Sequence, residues 1–274
     1  DVDRLSARRT RQRPDSGSSA GGKARRWFAP NGERVKGMSA AKRAFEWRVR
    51  VGEGETGARY DPAPNPMENS VFVCAHGAGG HMDDMSIRKV SDVLRARGIG
   101  TVRFNFLYRE RRGGRPDPMP RLQECISAVA EHVRAELEPD VLLLGGRSMG
   151  GRAASMLAAD GFACSGLILL AYPLHPAGRP EKLRDAHLPR IPVPVLCFNG
   201  TRDNLCRRDL MEKTVGGLPN WNMHWLEGAD HGFHVLRSSG KTDAGILDEV
   251  GEASAAWLGG MVRNRGGGSP DRGP

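Results

Sequence analysis

From about residue 45 onward the chain alternates between two hydrophobic rhythms. Short unbroken apolar runs at 71–75, 141–144, 167–170 and 193–198 read as strands buried on both faces. Residues 100–106 read as a further strand, while 45–51 and 222–226 alternate apolar and polar positions, and 45–51 is expected at a sheet edge. Between these runs the apolar positions take a helical spacing. Residues 85–97 carry Val90, Val93 and Leu94 on one face, and residues 121–137 carry Leu122, Ile126, Val129 and Val133. Residues 152–159, 207–214 and 244–262 read as three more helices. Strands alternating with helices predict a single α/β domain over 45–262, with a mostly parallel central sheet covered by helices on both faces. A chain of 274 residues is long enough to bury a substantial core in one such domain.

The chemistry collects where these strands end. After the run at 141–144 comes Gly145-Gly146-Arg147-Ser148-Met149-Gly150-Gly151, and a helix follows. A strand, a Gly-x-Ser-x-Gly turn and a helix form a nucleophile elbow, in which Gly146 and Gly150 keep side chains out of a tight bend. Ser148 would stand exposed above the sheet at a helix N-terminus, as an acyl-transfer nucleophile. After the run at 193–198 comes Asn199-Gly200-Thr201-Arg202-Asp203, which puts a carboxylate just past a strand end. A helix-capping role for Asp203 competes with a catalytic one. After 222–226 a loop carries Asp230-His231-Gly232-Phe233-His234. His231 is the candidate base and His234 its rival, and a metal site built on the two histidines lacks a third ligand at suitable spacing. After 71–75 comes His76-Gly77-Ala78-Gly79-Gly80, whose glycines leave backbone N–H groups free to face a site. This loop has neither the Lys-Ser/Thr of a phosphate loop nor a dinucleotide-type Gly-x-Gly-x-x-Gly. His76 is expected to hold the turn by hydrogen bonding.

With Ser148, Asp203 and His231 in that chain order, the sequence resembles the α/β-hydrolase superfamily, and within it the small uncapped dienelactone-hydrolase-like and KAN-type groups. The resemblance spans roughly residues 45–262. It implies a serine hydrolase that cleaves an ester or thioester through a Ser148–His231–Asp203 triad and an acyl-enzyme. It also implies an oxyanion hole made by the Met149 N–H and the Ala78 N–H, with Gly79 as the alternative to Ala78, and no cofactor or metal. Dienelactone hydrolases proper use a cysteine nucleophile, so a serine here makes dienelactone itself a poor substrate expectation. The other implied role is a non-catalytic scaffold, because KAN-type relatives include members of chromatin-associated assemblies. Only about twenty Pro-rich residues separate 170 from 193, too few for a helical lid, so an open site is expected.

Charge changes the picture at the N-terminus. The chain carries a net charge of +9, and its first fifty residues hold fourteen Lys and Arg against five Asp and Glu, so the excess lies there. Residues 1–44 are rich in Arg, Ser and Gly and are expected to form a disordered leader. Three roles fit it: an organellar import signal, a non-specific contact with nucleic acid, or an extension upstream of a start at Met38, which is slightly favoured. Nucleic acid is not expected to bind the domain itself, and residues 263–274 are expected to be a flexible tail. Five scattered cysteines and no apolar leader suit reduced thiols in a cytoplasmic compartment. No run approaches the roughly 18 apolar residues of a membrane span. Finally, Arg109, Arg111 and Arg112 follow a strand end, and they raise the expectation of a small anionic substrate as against a merely solvated loop.

Overall fold

The computed structural model describes residues 44–111 and 114–266. They contain strands β1 (Phe45–Val51), β2 (Gly54–Asp61), β3 (Ser70–Ala75), β4 (Gly100–Phe104), β5 (Val141–Arg147), β6 (Gly166–Leu170), β7 (Val195–Gly200) and β8 (Trp221–Leu226). The helices are α1 (Met85–Ala96), α2 (Leu107–Glu110), α3 (Met119–Leu137), α4 (Met149–Ala159), α5 (Arg208–Val215) and α6 (Asp243–Gly266). The strands form one sheet in the order β1-β2-β4-β3-β5-β6-β7-β8. β1, β2 and β4 pair antiparallel, and every pairing from β4 through β8 is parallel.

The continuous apolar runs resolve into two alternating faces. In β3, Val71, Val73 and Ala75 join one core while Phe72 and Cys74 join the other. β5, β6 and β7 divide in the same way, as period-two side-chain direction requires. Residues of α3, α4 and α5 cover the first face, and residues of α1 and α6 cover the second. The connection leaving β3 therefore goes to one face and the connection leaving β5 to the other. A crevice opens where they part, at the C-terminal ends of the parallel strands.

Three local expectations are corrected. β2 is a strand absent from the sequence pattern, because its Gly54, Gly57, Glu55 and Arg59 dilute the strand signal. It forms because Thr56, Ala58 and Tyr60 face inward at period two while Arg59 pairs with Glu46 across from β1 at 3.3 Å. β4 stops at Phe104, and the segment read as an arginine loop begins with the one-turn helix α2. The tail read as flexible from residue 263 is helical as far as Gly266. The leader at 1–43 and residues 267–274 lie outside the described residues.

Between β6 and β7, residues 171–194 form an irregular strap with a single 3₁₀ turn, Leu188–Arg190, and carry no inserted lid domain. The strap is pinned by the Tyr172 hydroxyl donating to the Arg184 carbonyl (2.6 Å) and by the Arg184 N–H donating to the Leu174 carbonyl (2.7 Å). No described helix is long and apolar enough to cross a membrane.

Candidate active site

Ser148 sits at the bend between β5 and α4 with φ 50° and ψ −115°, a conformation that non-glycine residues seldom adopt. The bend is so close to β3 that a Cβ on Gly146 would overlap the Ala75 carbonyl, and one on Gly150 would stand 2.6 Å from the carbonyl oxygens of Ala75 and His76. Only glycine fits these positions, and the Ser148 N–H is held by the Leu170 carbonyl at 2.8 Å.

Asp203 follows β7 and His231 lies in the loop after β8. The His231 Nδ1–H donates to Asp203 Oδ2 at 2.8 Å, and His231 Nε2 lies 3.0 Å from Ser148 Oγ. The structure therefore joins the three sequence-predicted residues in one hydrogen-bonded chain. Asp203 does not cap α5, whose N-cap position is Arg207. Its carboxylate, fully buried as a side chain, instead accepts from the Leu205 N–H at 2.8 Å and from Asn199 Nδ2 at 3.2 Å. His234, the rival histidine, bonds Asp243 at 2.7 Å. The two histidines thus serve different carboxylates.

The loop 76–80 borders the serine, and a Cβ on Gly77 would be 3.8 Å from Ser148 Cβ. His76 is buried and bridges this loop to the segment between β4 and α2. Its Nδ1–H donates to the Gly77 carbonyl (2.7 Å) and its Nε2 accepts from the Phe106 N–H (3.1 Å). Both bonds fit a neutral ring, and burial lowers its pKa to about 4. The Tyr108 hydroxyl donates to the Ala78 carbonyl at 2.7 Å. With that carbonyl held, the peptide N–H groups of Ala78 and Gly79 carry no internal hydrogen bond among the described residues. Met149 N–H opens α4, where no intrahelical acceptor exists for it.

Two cavities meet at Ser148. One, of about 310 Å³, is lined by His231, Asp84, Ser86 and the 77–80 loop. The other, of about 390 Å³, is lined by Ala78 and Met149 and by Met119, Pro173, Leu205 and two arginines, Arg152 and Arg184. The two described arginines among those singled out by sequence line neither cavity. Arg109 is in α2 and lines neither cavity, the exposed Arg111 pairs with Asp117, and Arg112 lies outside the described residues.

Two further residues support the triad: Asn199, which the sequence reading did not single out, and Arg147, which beside the elbow is expected to tie loops together. Asn199 is buried; its Oδ1 accepts from the Tyr172 N–H (3.2 Å) and its Nδ2 donates to the Tyr172 carbonyl (3.1 Å). That fixes the amide whose second N–H reaches Asp203. Arg147 donates to the His231 carbonyl and lies over the Phe233 ring at 5.1 Å, so it ties the histidine loop to the elbow. Burial lowers its pKa, and the charges of Asp203 and Asp230 oppose that shift. An Asn at a strand end would have been a weak sequence cue for the first. For the second, the position beside the elbow suggests a loop tie, and the contact with the His231 loop is that tie.

A second serine–histidine contact joins Ser155 Oγ and His187 Nε2 at 2.8 Å. Ser155 lies inside α4, is fully buried, and gives its proton to the Arg152 carbonyl at 2.8 Å. His187 then acts as donor to Ser155, and burial lowers its pKa to about 4. Among the described residues no carboxylate bonds its other nitrogen. This pair ties the strap to α4, and neither cavity beside Ser148 is lined by it.

The sequence model of the alpha/beta hydrolase domain matches residues 68–259. The chain belongs to the α/β-hydrolase domain family. Solved structures of the same fold include an alpha-beta serine hydrolase homologue from Coxiella burnetii, with 22% identity, a TM-score of 0.61, and coverage of 80% of this chain and 96% of that one. A serine hydrolase without lid from Xanthomonas campestris has 24% identity, a TM-score of 0.60, and coverage of 84% and 98%. A dienelactone hydrolase from Anabaena variabilis has 19% identity, a TM-score of 0.60, and coverage of 79% and 96%. At these identities the likeness is one of fold, and within this α/β-hydrolase fold the elbow, the acid and the histidine loop occupy the ends of β5, β7 and β8.

Proposed function

We propose that this chain is a serine hydrolase of small esters or thioesters. The observation that carries the reading is the unbroken hydrogen-bonded chain from Ser148 Oγ through His231 to Asp203, with Nδ1 of the histidine committed to the acid and Nε2 to the serine. In that tautomer Nε2 is an acceptor, so His231 takes the Ser148 proton as Oγ attacks the substrate carbonyl carbon. The resulting oxyanion is received by the N–H groups of Met149 and Ala78, with Gly79 as the alternative to Ala78. As the carbonyl re-forms, the bond to the leaving alcohol or thiol breaks and His231 returns the proton to it. A water, deprotonated by the same histidine, then cleaves the acyl-enzyme. The balance is ester plus water to acid plus alcohol, and every proton is handled by His231.

The strained Ser148 backbone supports the same reading, because buried strain of this kind is retained where it positions a reacting group. A lidless crevice suits small dissolved esters better than aggregated lipid. The test is hydrolysis of p-nitrophenyl acetate by the wild-type chain and by Ser148→Ala. The expected result is turnover by the wild type and a loss of roughly three orders of magnitude or more in kcat for the variant, with an unchanged melting temperature. Equal rates for the two proteins would overturn the mechanism.

A further inference from the structure

The larger cavity beside Ser148 is lined by two cations that have no anionic partner among the described residues. Arg152 is half-buried one turn into α4, makes no ion pair, and its buried Nε has no hydrogen-bond partner among the described residues. Arg184, half-buried on the strap, makes one side-chain hydrogen bond, to the Pro173 carbonyl at 3.3 Å. Burial and the neighbouring charge of Arg152 both lower its pKa. Arg48, Arg59, Arg95, Arg97, Arg111, Arg121, Arg134, Arg207 and Arg208 each have a carboxylate within 4 Å, whereas Arg152 and Arg184, like Arg50, Arg88 and Arg109, have none among the described residues, and these two line one cavity together. Two like charges held together in a partly desolvated cleft repel each other, and an anion between them relieves that repulsion.

The cavity also has a direction. His231, which must protonate the leaving group, lines the smaller cavity and not this one. The smaller cavity carries Asp84 opposite Arg147, one charge of each sign, whereas the larger is lined by two arginines and no carboxylate. Met149, whose N–H faces the developing oxyanion in the proposed mechanism, lines the arginine cavity. The arginine side is therefore the acyl side. Met119, Pro173, Pro176 and Leu205 offer apolar walls for methylene groups between the carbonyl and the charge. Arg152 is one turn from Ser148, its N–H bonded to the Ser148 carbonyl at 3.0 Å, so its Cα lies about 5–6 Å along α4 and its side chain reaches further. That span matches a short aliphatic chain.

We infer that the substrate's acyl group ends in a second, negatively charged carboxylate received by Arg152 and Arg184. The substrate class is then the half-ester of a short dicarboxylic acid, and hydrolysis gives the free dicarboxylate and an alcohol. This rests on the serine-hydrolase reading above and assigns the acyl side of the same site. It moves the anion-binding role from Arg109, Arg111 and Arg112 to a pair that the fold assembles from α4 and the strap.

The test compares kcat/KM for p-nitrophenyl hydrogen adipate with that for its neutral methyl ester, p-nitrophenyl methyl adipate, using the full chain. The wild type is expected to favour the acid by about tenfold or more, as charge-assisted bonds to a carboxylate warrant. Raising NaCl to about 0.5 M should shrink that preference. Arg152→Gln and Arg184→Gln should each cut the ratio, the double variant should bring it to one or below, and Arg184→Lys should retain part of it. A wild type that treats the two esters alike, or a double variant that keeps the wild-type ratio, overturns the inference. If the arginine variants fail to fold, the wild-type ratio and its salt dependence still decide. Lack of any serine-dependent turnover defeats the hydrolase reading itself, whereas turnover without the preference defeats only this assignment.

Discussion

Replacing Asp203 by Asn keeps shape and removes one acceptor, and the surroundings of Asp203 determine what must follow. Three donors converge on the carboxylate: His231 Nδ1–H and Asn199 Nδ2 on Oδ2, and the Leu205 N–H on Oδ1. An Asn amide has one oxygen. If its NH₂ occupies the Oδ1 position it faces the Leu205 N–H, and if it occupies the Oδ2 position it faces both His231 and Asn199. Asn199 cannot flip to help, because its oxygen is committed to the Tyr172 N–H and its nitrogen to the Tyr172 carbonyl. The backbone of Leu205 cannot change sign at all. Each orientation leaves one donor facing another; because the Leu205 contact at 2.8 Å is shorter than the Asn199 contact at 3.2 Å, the new oxygen stays toward Leu205 and its NH₂ turns toward His231, whose Nδ1 becomes the acceptor. The proton then sits on Nε2 and points at Ser148, so the base is lost.

That exchange of tautomer costs a triad about 10⁴-fold in kcat, or roughly 5.5 kcal/mol of transition-state stabilisation. Asn199 Nδ2 is left opposite a second donor in a buried site, which costs stability by about 1–3 kcal/mol. The assay is kcat on p-nitrophenyl acetate together with the urea midpoint of Asp203→Asn. A variant within about tenfold of wild-type kcat would refute the reasoning, because it would mean that His231 does not need its Asp203 partner to present Nε2 as a base.

Arg147→Met keeps bulk over the Phe233 ring and removes the guanidinium that holds the His231 carbonyl; kcat on the same ester should fall by about 10–100-fold with little change in KM. An unchanged kcat would show that the histidine loop holds itself. Gly150→Ala places a Cβ 2.6 Å from two backbone carbonyls that cannot move independently, and it should destabilise the fold by about 4 kcal/mol or more, read as a large drop in urea midpoint. A variant as stable as wild type would contradict the elbow packing. His76 has a folded pKa lowered to about 4, so between that value and its unfolded pKa the unfolded chain binds the extra proton. The contribution of the neutral ring is present in full above about pH 6.5 and is lost as pH falls toward 4, amounting to about 2 kcal/mol by pH 5. His187 shifts in the same direction and adds to the loss. Urea denaturation at pH 7, 6 and 5 checks this, and equal stabilities across that range would contradict a buried neutral His76.

The parts of this account that were legible in the sequence are those fixed by local sterics and local period. The elbow announces itself because a bend this close to β3 admits only glycine at 146 and 150, so the constraint is written next to Ser148. The buried strands announce themselves because both of their faces are covered, and the positions of Asp203 and His231 follow from where those strands stop. β2 was hidden because a strand with one wet face needs only Thr56, Ala58 and Tyr60 inward, and glycines and charges fill the rest. The partner of Arg147, expected only to tie loops, and the role of Tyr108 were hidden for another reason. They depend on contacts with His231 and Ala78, which are 84 and 30 residues away in sequence, and no local pattern records such a contact. The same holds for Arg152 and Arg184, which only the strap brings into one cavity. Arginines near a strand end looked like substrate ligands, but Arg109, held in α2, lines neither cavity and Arg111 pairs with Asp117.

The central claim is that Ser148 is an activated nucleophile. Its most direct test is covalent labelling of the wild-type chain and of Ser148→Ala by a fluorophosphonate, read by intact mass. The account predicts one adduct per wild-type chain, mapping to Ser148, and none on the variant. A folded wild-type chain that takes no label, or a Ser148→Ala chain that labels as fast as wild type, would contradict it.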